Sequence, residues 1–480
     1  MDNKKVLSNF IWRFAERTGA QLVSFIVSIV LARILDPEVF GTVALMVVFT
    51  TILNVFVDSG LGNALIQKKD ADQLDFSTVF YTNITFCTVL YIGMFFASPY
   101  IAGFYDDPSM TPMLRVLCLT VLISGVKNVQ MAYVSKHMIF KKFFFSTLGG
   151  TIGAAVLGIA MALNGFGAWA IIAQQVFNTA VDTSILWITV KWRPSREFSF
   201  ERLKGLFSFG WKLLVSALID TIYTNLRQLI IGKFYQKNEL AFYNQGEKFP
   251  NVIVTNINNS IDSVLLPVMS KEQDDVLAVK RMARRSIKTS TYVMTPLMIG
   301  LFVTAPNIVQ LVLTEKWMGC VFFLRAFCIS YMLYPIHTAN LNAIKAIGRS
   351  DIFLKLEIIK KIVGLIVLFI SMFFGVKAMV LSQLGVSFFS MAVNAWPNRR
   401  LLKYSYREQL MDLVANMLCA VGMGIVVALL DLLPLYYVIR LILQILAGAL
   451  LYIGLSYFSK NETFFYLLDI IRKRGKKEEG

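Results

Sequence analysis

The chain has 480 residues, of which 56% are hydrophobic and only 16% are charged. Ordinary soluble domains carry about 25% charged residues, so soluble globular, disordered and fibrous proteins are excluded and a lipid bilayer is the expected solvent. The 47 lysines and arginines outnumber the 30 acidic residues, which gives a net charge of +17. In a soluble protein this excess would indicate nucleic acid, whereas in a membrane protein it is expected in the cytoplasmic loops.

Mostly apolar windows of about 20 residues predict about fourteen transmembrane helices. We expect an all-α polytopic membrane protein with two pseudo-symmetric six-helix lobes, at residues 1–195 and 196–400. Two additional transmembrane helices and a basic cytoplasmic tail are predicted at residues 401–480. Most lysines and arginines fall in alternate loops, which predicts that both termini are cytoplasmic and accounts for the basic excess without nucleic acid.

The sequence lacks the usual signatures of an enzyme. It contains no Walker A pattern, and its two histidines form no metalloprotease motif. The five cysteines are scattered without metal-ligand spacing. We therefore predict no enzymatic activity, no metal site and no cofactor.

The first and seventh predicted spans begin alike, with NFIW at residues 9–12 and FSFGW at residues 207–211. In each case a helix end and a short polar turn follow, at residues 32–41 and 232–241. Six spans followed by six similar ones indicate parallel repeats related by an axis along the membrane normal. Such repeats are typical of transporters that work by alternating access.

Short motifs in both halves carry a resemblance to a known family. ARILDPEVFG at residues 32–41, DSGLG at 58–62 and LIQ at 65–67 resemble the opening of the polysaccharide transporter family. IGKF at 231–234, YNQ at 243–245 and LLPVMS at 265–270 are similar to its second repeat. The resemblance is closest in character to the Wzx-type lipopolysaccharide and O-antigen flippases and the colanic-acid-exporter-like proteins. These belong to the multidrug/oligosaccharidyl-lipid/polysaccharide flippase superfamily.

The resemblance implies a V-shaped, MATE-like pair of lobes in the bacterial inner membrane. It implies movement of undecaprenyl-pyrophosphate-linked oligosaccharide, an O-antigen or exopolysaccharide repeat unit, to the outer leaflet. The expected partners are this cargo, membrane lipids and the polysaccharide polymerase and chain-length machinery.

Charged residues inside the predicted spans are candidates for the site, because a charge at membrane depth is costly unless it faces protein or water. Cations suit a pyrophosphate, and amide and hydroxyl groups suit sugars. The candidates for a cationic cavity are Arg13, Arg17, Lys127, Lys212, Arg227 and Lys248. The candidates for sugar contact are Asn178, Tyr223, Asn251 and Asn258, and the candidates for coupling to H⁺ or Na⁺ are Glu16, Asp182, Asp220, Glu247 and Asp262.

Several alternatives remain open at this point. Arg13 and Arg17 could sit at headgroup level, with Glu16 neutralising one of them. The other cations could be held in buried ion pairs with the acids of the spans, which does not exclude a role in transport. The alternative functions are a multidrug or cation antiporter of the same superfamily and, in another class, a membrane-embedded polysaccharide polymerase or ligase.

Overall fold

The computed structural model describes the backbone of residues 3–58 and 60–478. It also describes their side chains, apart from those of residues 3–11, 13, 14, 17, 58, 209, 471 and 473–478. Every regular element in the described ranges is a helix. The chain divides into two compact units, one ending at Ala241 and one beginning at Phe242.

The first unit is built from nine helices in the part of the chain that is described. They are α1 (Asn3–Ile34), α2 (Pro37–Asp58), α3 (Leu61–Gln67), α4 (Gln73–Phe104), α5 (Met110–Leu117), α6 (Leu119–Lys136), α7 (Lys141–Leu163), α8 (Ala168–Thr189) and α9 (Phe200–Phe234). Local sequence sets several of the boundaries. At the start of α4, for example, Asp72 and Asp75 form a reciprocal capping box that satisfies two backbone N–H groups.

The segment between α8 and α9 is fastened to the beginning of α4. The indole of Trp192 donates to Gln73 Oε1 at 2.7 Å, and the backbone N–H of Ser195 donates to Ser77 Oγ at 2.9 Å. These contacts hold the connection against the first unit, so that α9 packs there too.

Small residues let α9 approach α2 closely. A Cβ atom on Gly232 would lie 2.7 Å from Leu45 Cδ1, and one on Gly41 would lie 2.0 Å from the carbonyl oxygen of Lys237. As a result α9, the first helix of the predicted second repeat, lies in the first unit. The division into two units does not test the predicted lobe boundaries at residues 195 and 400, which come from the sequence repeat and stay a prediction.

The second unit contains the remaining helices of the described residues. They are α10 (Lys237–Lys271), whose first turn still lies in the first unit, α11 (Val276–Val312), α12 (Cys320–Met332), α13 (Tyr334–Ala346), α14 (Ser350–Ser371), α15 (Val376–Leu401), α16 (Tyr406–Leu429), α17 (Tyr437–Phe458) and α18 (Glu462–Glu478). Helix α18 contains the basic segment that the sequence predicted as a tail.

The two additional helices α16 and α17 pack on α11 through polar contacts. The Arg284 guanidinium donates to both carboxylate oxygens of Asp412, at 2.7 Å each. The Tyr452 hydroxyl donates to the carbonyl oxygen of Tyr292 at 2.8 Å. These helices are therefore an integral part of the second unit.

Ten helices, or pairs of consecutive helices, in the described residues are long and apolar enough to cross a membrane. The number is eleven if α9, which bends by 49° near residue 209, counts as one span. Of the other predicted spans, α1 has an apolar part of only 17 residues, and α8 and α14 carry too many polar or charged groups. The all-α polytopic architecture is confirmed, whereas the count of fourteen spans is not.

Candidate functional site

Lys127 and Asp182 form an ion pair inside the first unit. Lys127 Nζ on α6 lies 3.1 Å from Asp182 Oδ2 on α8. Both side chains are largely buried, with exposed fractions of 19% and 14%. The predicted buried pairing of a span cation with a span acid is therefore seen for Lys127.

The second oxygen of this carboxylate, Asp182 Oδ1, is buried and has no hydrogen-bond partner among the described residues. Asn178, one helical turn earlier on α8, also has a buried Oδ1 without a described partner. Both side chains lie against Gly150 of α7, where an added Cβ would come within 2.9 Å of Asn178 Oδ1 and 3.2 Å of Asp182 Cβ. Two unpaired acceptors thus lie side by side, an arrangement that is costly in a low-dielectric interior.

Glu16 of α1 is buried and faces α7. Its Oε1 accepts a hydrogen bond from the Thr147 hydroxyl at 3.4 Å. The side chains of Arg13 and Arg17, the other candidates on α1, lie outside the described residues. Glu16 therefore lies against the same helix, α7, that packs on Asn178 and Asp182.

The four candidates on α9 differ in their exposure. Lys212 and Asp220 are exposed, whereas Tyr223 and Arg227 are half-buried. Lys212 makes no hydrogen bond or ion pair with a described residue, which leaves its ammonium group available to an anion. All four candidates lie on one continuous stretch of helix after the bend near residue 209.

On α10 the two candidate carboxylates bind neutral side chains of neighbouring helices. Glu247 accepts a hydrogen bond from the Tyr331 hydroxyl of α12. Asp262 Oδ1 accepts from Asn342 Nδ2 of α13 at 2.6 Å. Hydrogen bonds of this kind stabilise a carboxylate without neutralising its charge.

The remaining candidates on α10 point to different surroundings. Asn258 is buried, and its Oδ1 has no hydrogen-bond partner in the described ranges. Asn251 is exposed, and Lys248 is half-buried without a described hydrogen-bond or ion-pair partner. The candidates on α10 are therefore divided between side chains that make packing contacts and side chains that are available to a ligand.

Sequence reasoning missed Thr147, Tyr331 and Asn342, which hold the candidate acids in place. They lie in spans that show no polar periodicity of their own, so only the helix packing reveals them. The buried amide atoms Asn244 Nδ2 and Gln245 Nε2 on α10 also have no hydrogen-bond partner among the described residues. Both residues belong to the YNQ motif at residues 243–245 that the sequence analysis singled out.

The surroundings of Lys127 suit the binding of an anion. An ammonium group has three donors, and Asp182 engages one of those of Lys127. An oxyanion of a ligand could take the others.

The fold matches that of a protein whose structure has been solved. The chain resembles the solved structure of the lipid II flippase MurJ in an inward closed conformation, with a TM-score of 0.77 and 13% sequence identity. The match covers 94% of this chain and 99% of that one. At this level of identity the likeness shows the fold alone, and it agrees with the all-α polytopic prediction.

Residues 30–322 match the model of a family described as polysaccharide biosynthesis protein, and the chain belongs to that family. It is 26% identical over 423 residues to the teichuronic acid biosynthesis protein TuaB of Bacillus subtilis, covering 85% of this chain and 86% of that protein. It is 25% identical over 316 residues to the succinoglycan biosynthesis transport protein ExoT of Rhizobium meliloti, covering 65% and 64%. The resemblance predicted from the motifs is confirmed.

Proposed function

We propose that this multi-pass membrane protein is a flippase that moves a polyprenyl-pyrophosphate-linked oligosaccharide across the bacterial cytoplasmic membrane. The observation that carries the proposal is the match to the polysaccharide biosynthesis family over residues 30–322. The name of one relative includes transport of succinoglycan, and the fold is shared with a lipid II flippase.

The charges in the spans fit this cargo. A pyrophosphate cannot cross hydrocarbon unaided, whereas its polyprenyl chain never has to leave it. Lys127, Lys212, Arg227 and Lys248 supply the compensating cations, and Asn178, Tyr223, Asn251 and Asn258 supply hydrogen-bonding groups for sugars. We assign Arg13 and Arg17 to the same cationic set by their position in the sequence.

Coupling to an ion is part of the proposal. A cargo bound by several cations needs a means of release, and Asp182 competes with the cargo for the Lys127 ammonium group. Protonation of Asp182 would free Lys127 for the pyrophosphate, and deprotonation would favour release. Glu16, Asp220, Glu247 and Asp262 are the other candidates for exchange with H⁺ or Na⁺.

The orientation follows from charge. Most lysines and arginines fall in alternate loops, so we place both termini in the cytoplasm. We propose that the lipid-linked oligosaccharide is the partner of the chain, together with membrane lipids and the polysaccharide polymerase and chain-length machinery. We propose transport without a catalytic step, in preference to a polymerase or ligase.

A bacterium that has lost its own flippase provides the test. The wild-type chain, expressed in a strain whose lipid-linked repeat units accumulate in the cytoplasmic leaflet, is expected to restore surface polysaccharide. Failure of the wild-type chain in strains that make several different repeat units, despite normal membrane insertion, would contradict the proposal. If the wild-type chain exported cationic drugs instead, the result would support the alternative function, a multidrug or cation antiporter.

A further inference from the structure

A cavity of about 670 Å³ lies between the beginning of α11 and α18, away from the candidate substrate residues. Its lining includes four cations from successive turns of α11, namely Arg281, Arg284, Arg285 and Lys288. Glu462 and Tyr466 of α18 close the other side. The cavity is contained entirely within the second unit.

Two of these four cations are neutralised by carboxylates. Arg284 binds Asp412 at 2.7 Å, and Lys288 lies 2.7 Å from Glu462 and 3.4 Å from Asp412. The Glu462 carboxyl keeps a lowered pKa chiefly because Lys288 donates a hydrogen bond to it. The pair of Lys288 and Glu462 holds α18 to α11, and the pair of Arg284 and Asp412 holds α16 to α11. Both carboxylates are therefore already engaged by cations of α11.

Arg281 and Arg285 are engaged less closely by carboxylates. Arg281 Nη2 lies 3.8 Å from Asp275 Oδ2, beyond hydrogen-bond distance, while Asp275 Oδ1 caps α11 by accepting from the backbone N–H groups of residues 277 and 278. The Arg285 guanidinium lies 3.9 Å from the ring centroid of Tyr466 and pairs with no carboxylate among the described residues. Like charges four residues apart on a helix repel each other, so an anion between them is favoured.

The guanidinium groups of the cavity suit the oxygens of a phosphodiester. Glu272 also lines the cavity, is exposed and forms no ion pair with a described residue. Arg281 has only the long contact with Asp275 at 3.8 Å and Arg285 has no carboxylate partner among the described residues, so both guanidinium groups keep donors for the oxygens of a phosphodiester. Guanidinium groups bind phosphate oxygens through paired hydrogen bonds.

The cavity also lies at the depth of lipid headgroups. Helix α11 has 37 residues and is about 55 Å long, far longer than the roughly 30 Å of hydrocarbon, so its basic first turns extend beyond the apolar layer. Helix α18 begins four residues after α17 ends at Phe458, where Tyr457 and Phe458 are exposed aromatic side chains of the kind found at membrane interfaces. Residues 472–477 read RKRGKK and add five cations in the same helix.

We propose that Arg281 and Arg285 bind the phosphodiester of an anionic phospholipid headgroup, which secures α18 at the membrane surface. Basic pockets beside transmembrane helices and basic amphipathic helices are the usual sites for such headgroups. The site is separate from the cargo residues and does not depend on the transport proposal.

Hydrogen–deuterium exchange of the full-length protein in nanodiscs tests this site. Discs of phosphatidylcholine are compared with discs that also contain phosphatidylglycerol. Phosphatidylglycerol is expected to slow backbone exchange in α18 about thirtyfold, which corresponds to about 2 kcal/mol from the two arginines together. The variant R281Q/R285Q is expected to lose most of this protection.

The matched control is R399Q/R400Q, which removes two exposed arginines at the end of α15. It is expected to keep the protection, and all three proteins should exchange alike in pure phosphatidylcholine. No effect of phosphatidylglycerol, or equal loss in both variants, would overturn the site. Equal protection by inorganic phosphate in phosphatidylcholine discs would overturn a lipid as its ligand.

Discussion

Lys127 Nζ lies 3.1 Å from Asp182 Oδ2, and the other oxygen of that carboxylate has no hydrogen-bond partner among the described residues. A buried ion pair whose polar atoms all have hydrogen-bond partners would serve only to hold the two helices together. A pair that leaves one acceptor unpaired is less stable, because a buried acceptor without a donor costs about 1–3 kcal/mol. A pair of this kind costs less to separate, which suits the exchange of partners that we propose for an anionic cargo.

Replacing Lys127 tests whether its charge serves the cargo. K127Q is expected to reduce transport about tenfold or more, because a hydrogen bond to a charged group contributes about 1.5–3 kcal/mol. K127R keeps the charge and is expected to retain most of the activity. The measurement is restoration of surface polysaccharide at matched protein amounts, with K69Q, at an exposed loop lysine, as the control. Wild-type transport by K127Q would exclude this role.

Reversing the charge of Lys212 on α9 or Lys248 on α10 is expected to abolish transport and leave membrane insertion unchanged. Neither ammonium group has a partner among the described residues, so a carboxylate there would repel the pyrophosphate without breaking an existing pair. Insertion is measured by membrane fractionation and transport by surface polysaccharide. Full activity of K212E and K248E would contradict the cationic cavity.

Gly150 is expected to tolerate no side chain. An added Cβ would lie 2.9 Å from Asn178 Oδ1 and 3.0 Å from the backbone oxygen of Asn178, and the backbone cannot move away easily. G150A is expected to destabilise the protein by about 1–3 kcal/mol, measured by thermal unfolding in detergent. In G93A the new methyl group meets nothing within 4 Å, and stability should be preserved or slightly raised. If G150A were as stable as G93A, the helices α7 and α8 would have to pack less tightly at residue 150 than the structure shows.

The connection between α4 and α5 carries a pH-dependent contact. Lys237 Nζ lies 2.5 Å from Asp107 Oδ2, and the Ser109 hydroxyl donates to Oδ1 at 2.6 Å. Burial raises the pKa of the Asp107 carboxyl, but the hydrogen bonds from Lys237 and Ser109 outweigh it, so the pKa lies below its usual value.

A lowered pKa in the folded state means that this contact stabilises the protein above the unfolded pKa and is lost as the pH falls through the folded value. At neutral pH, D107N is expected to unfold more readily than the wild type, by about 1 kcal/mol. The difference should shrink when the pH is taken well below about 3.9. Thermal unfolding of both proteins across this range checks the prediction, and a constant difference would refute it.

The sequence predicted the helices better than their partners. Spacing alone placed Lys127 and Asp182 inside spans, because charges interrupt otherwise apolar windows. Their mutual contact was one of several open pairings, since which helices touch depends on packing that no periodicity encodes.

Two features of the fold depended on contacts distant in sequence. The assignment of α9 to the first unit rests on two contacts with α2: Gly232 of α9 meets Leu45, and Lys237, just after α9, meets Gly41. Helix α18 was predicted as a basic tail, because its apolar stretch from residue 464 to 471 is too short to span a membrane. Its contacts with α11 become visible only in the folded chain.

Direct transport by the purified protein tests the central claim most sharply. The full-length chain is reconstituted in vesicles that contain a lipid-linked oligosaccharide, and the fraction reached by a membrane-impermeant glycosidase is followed with time. The account predicts movement that requires the protein and falls about tenfold in K127Q. Equal movement in protein-free vesicles, or in K127Q and the wild type, would contradict it.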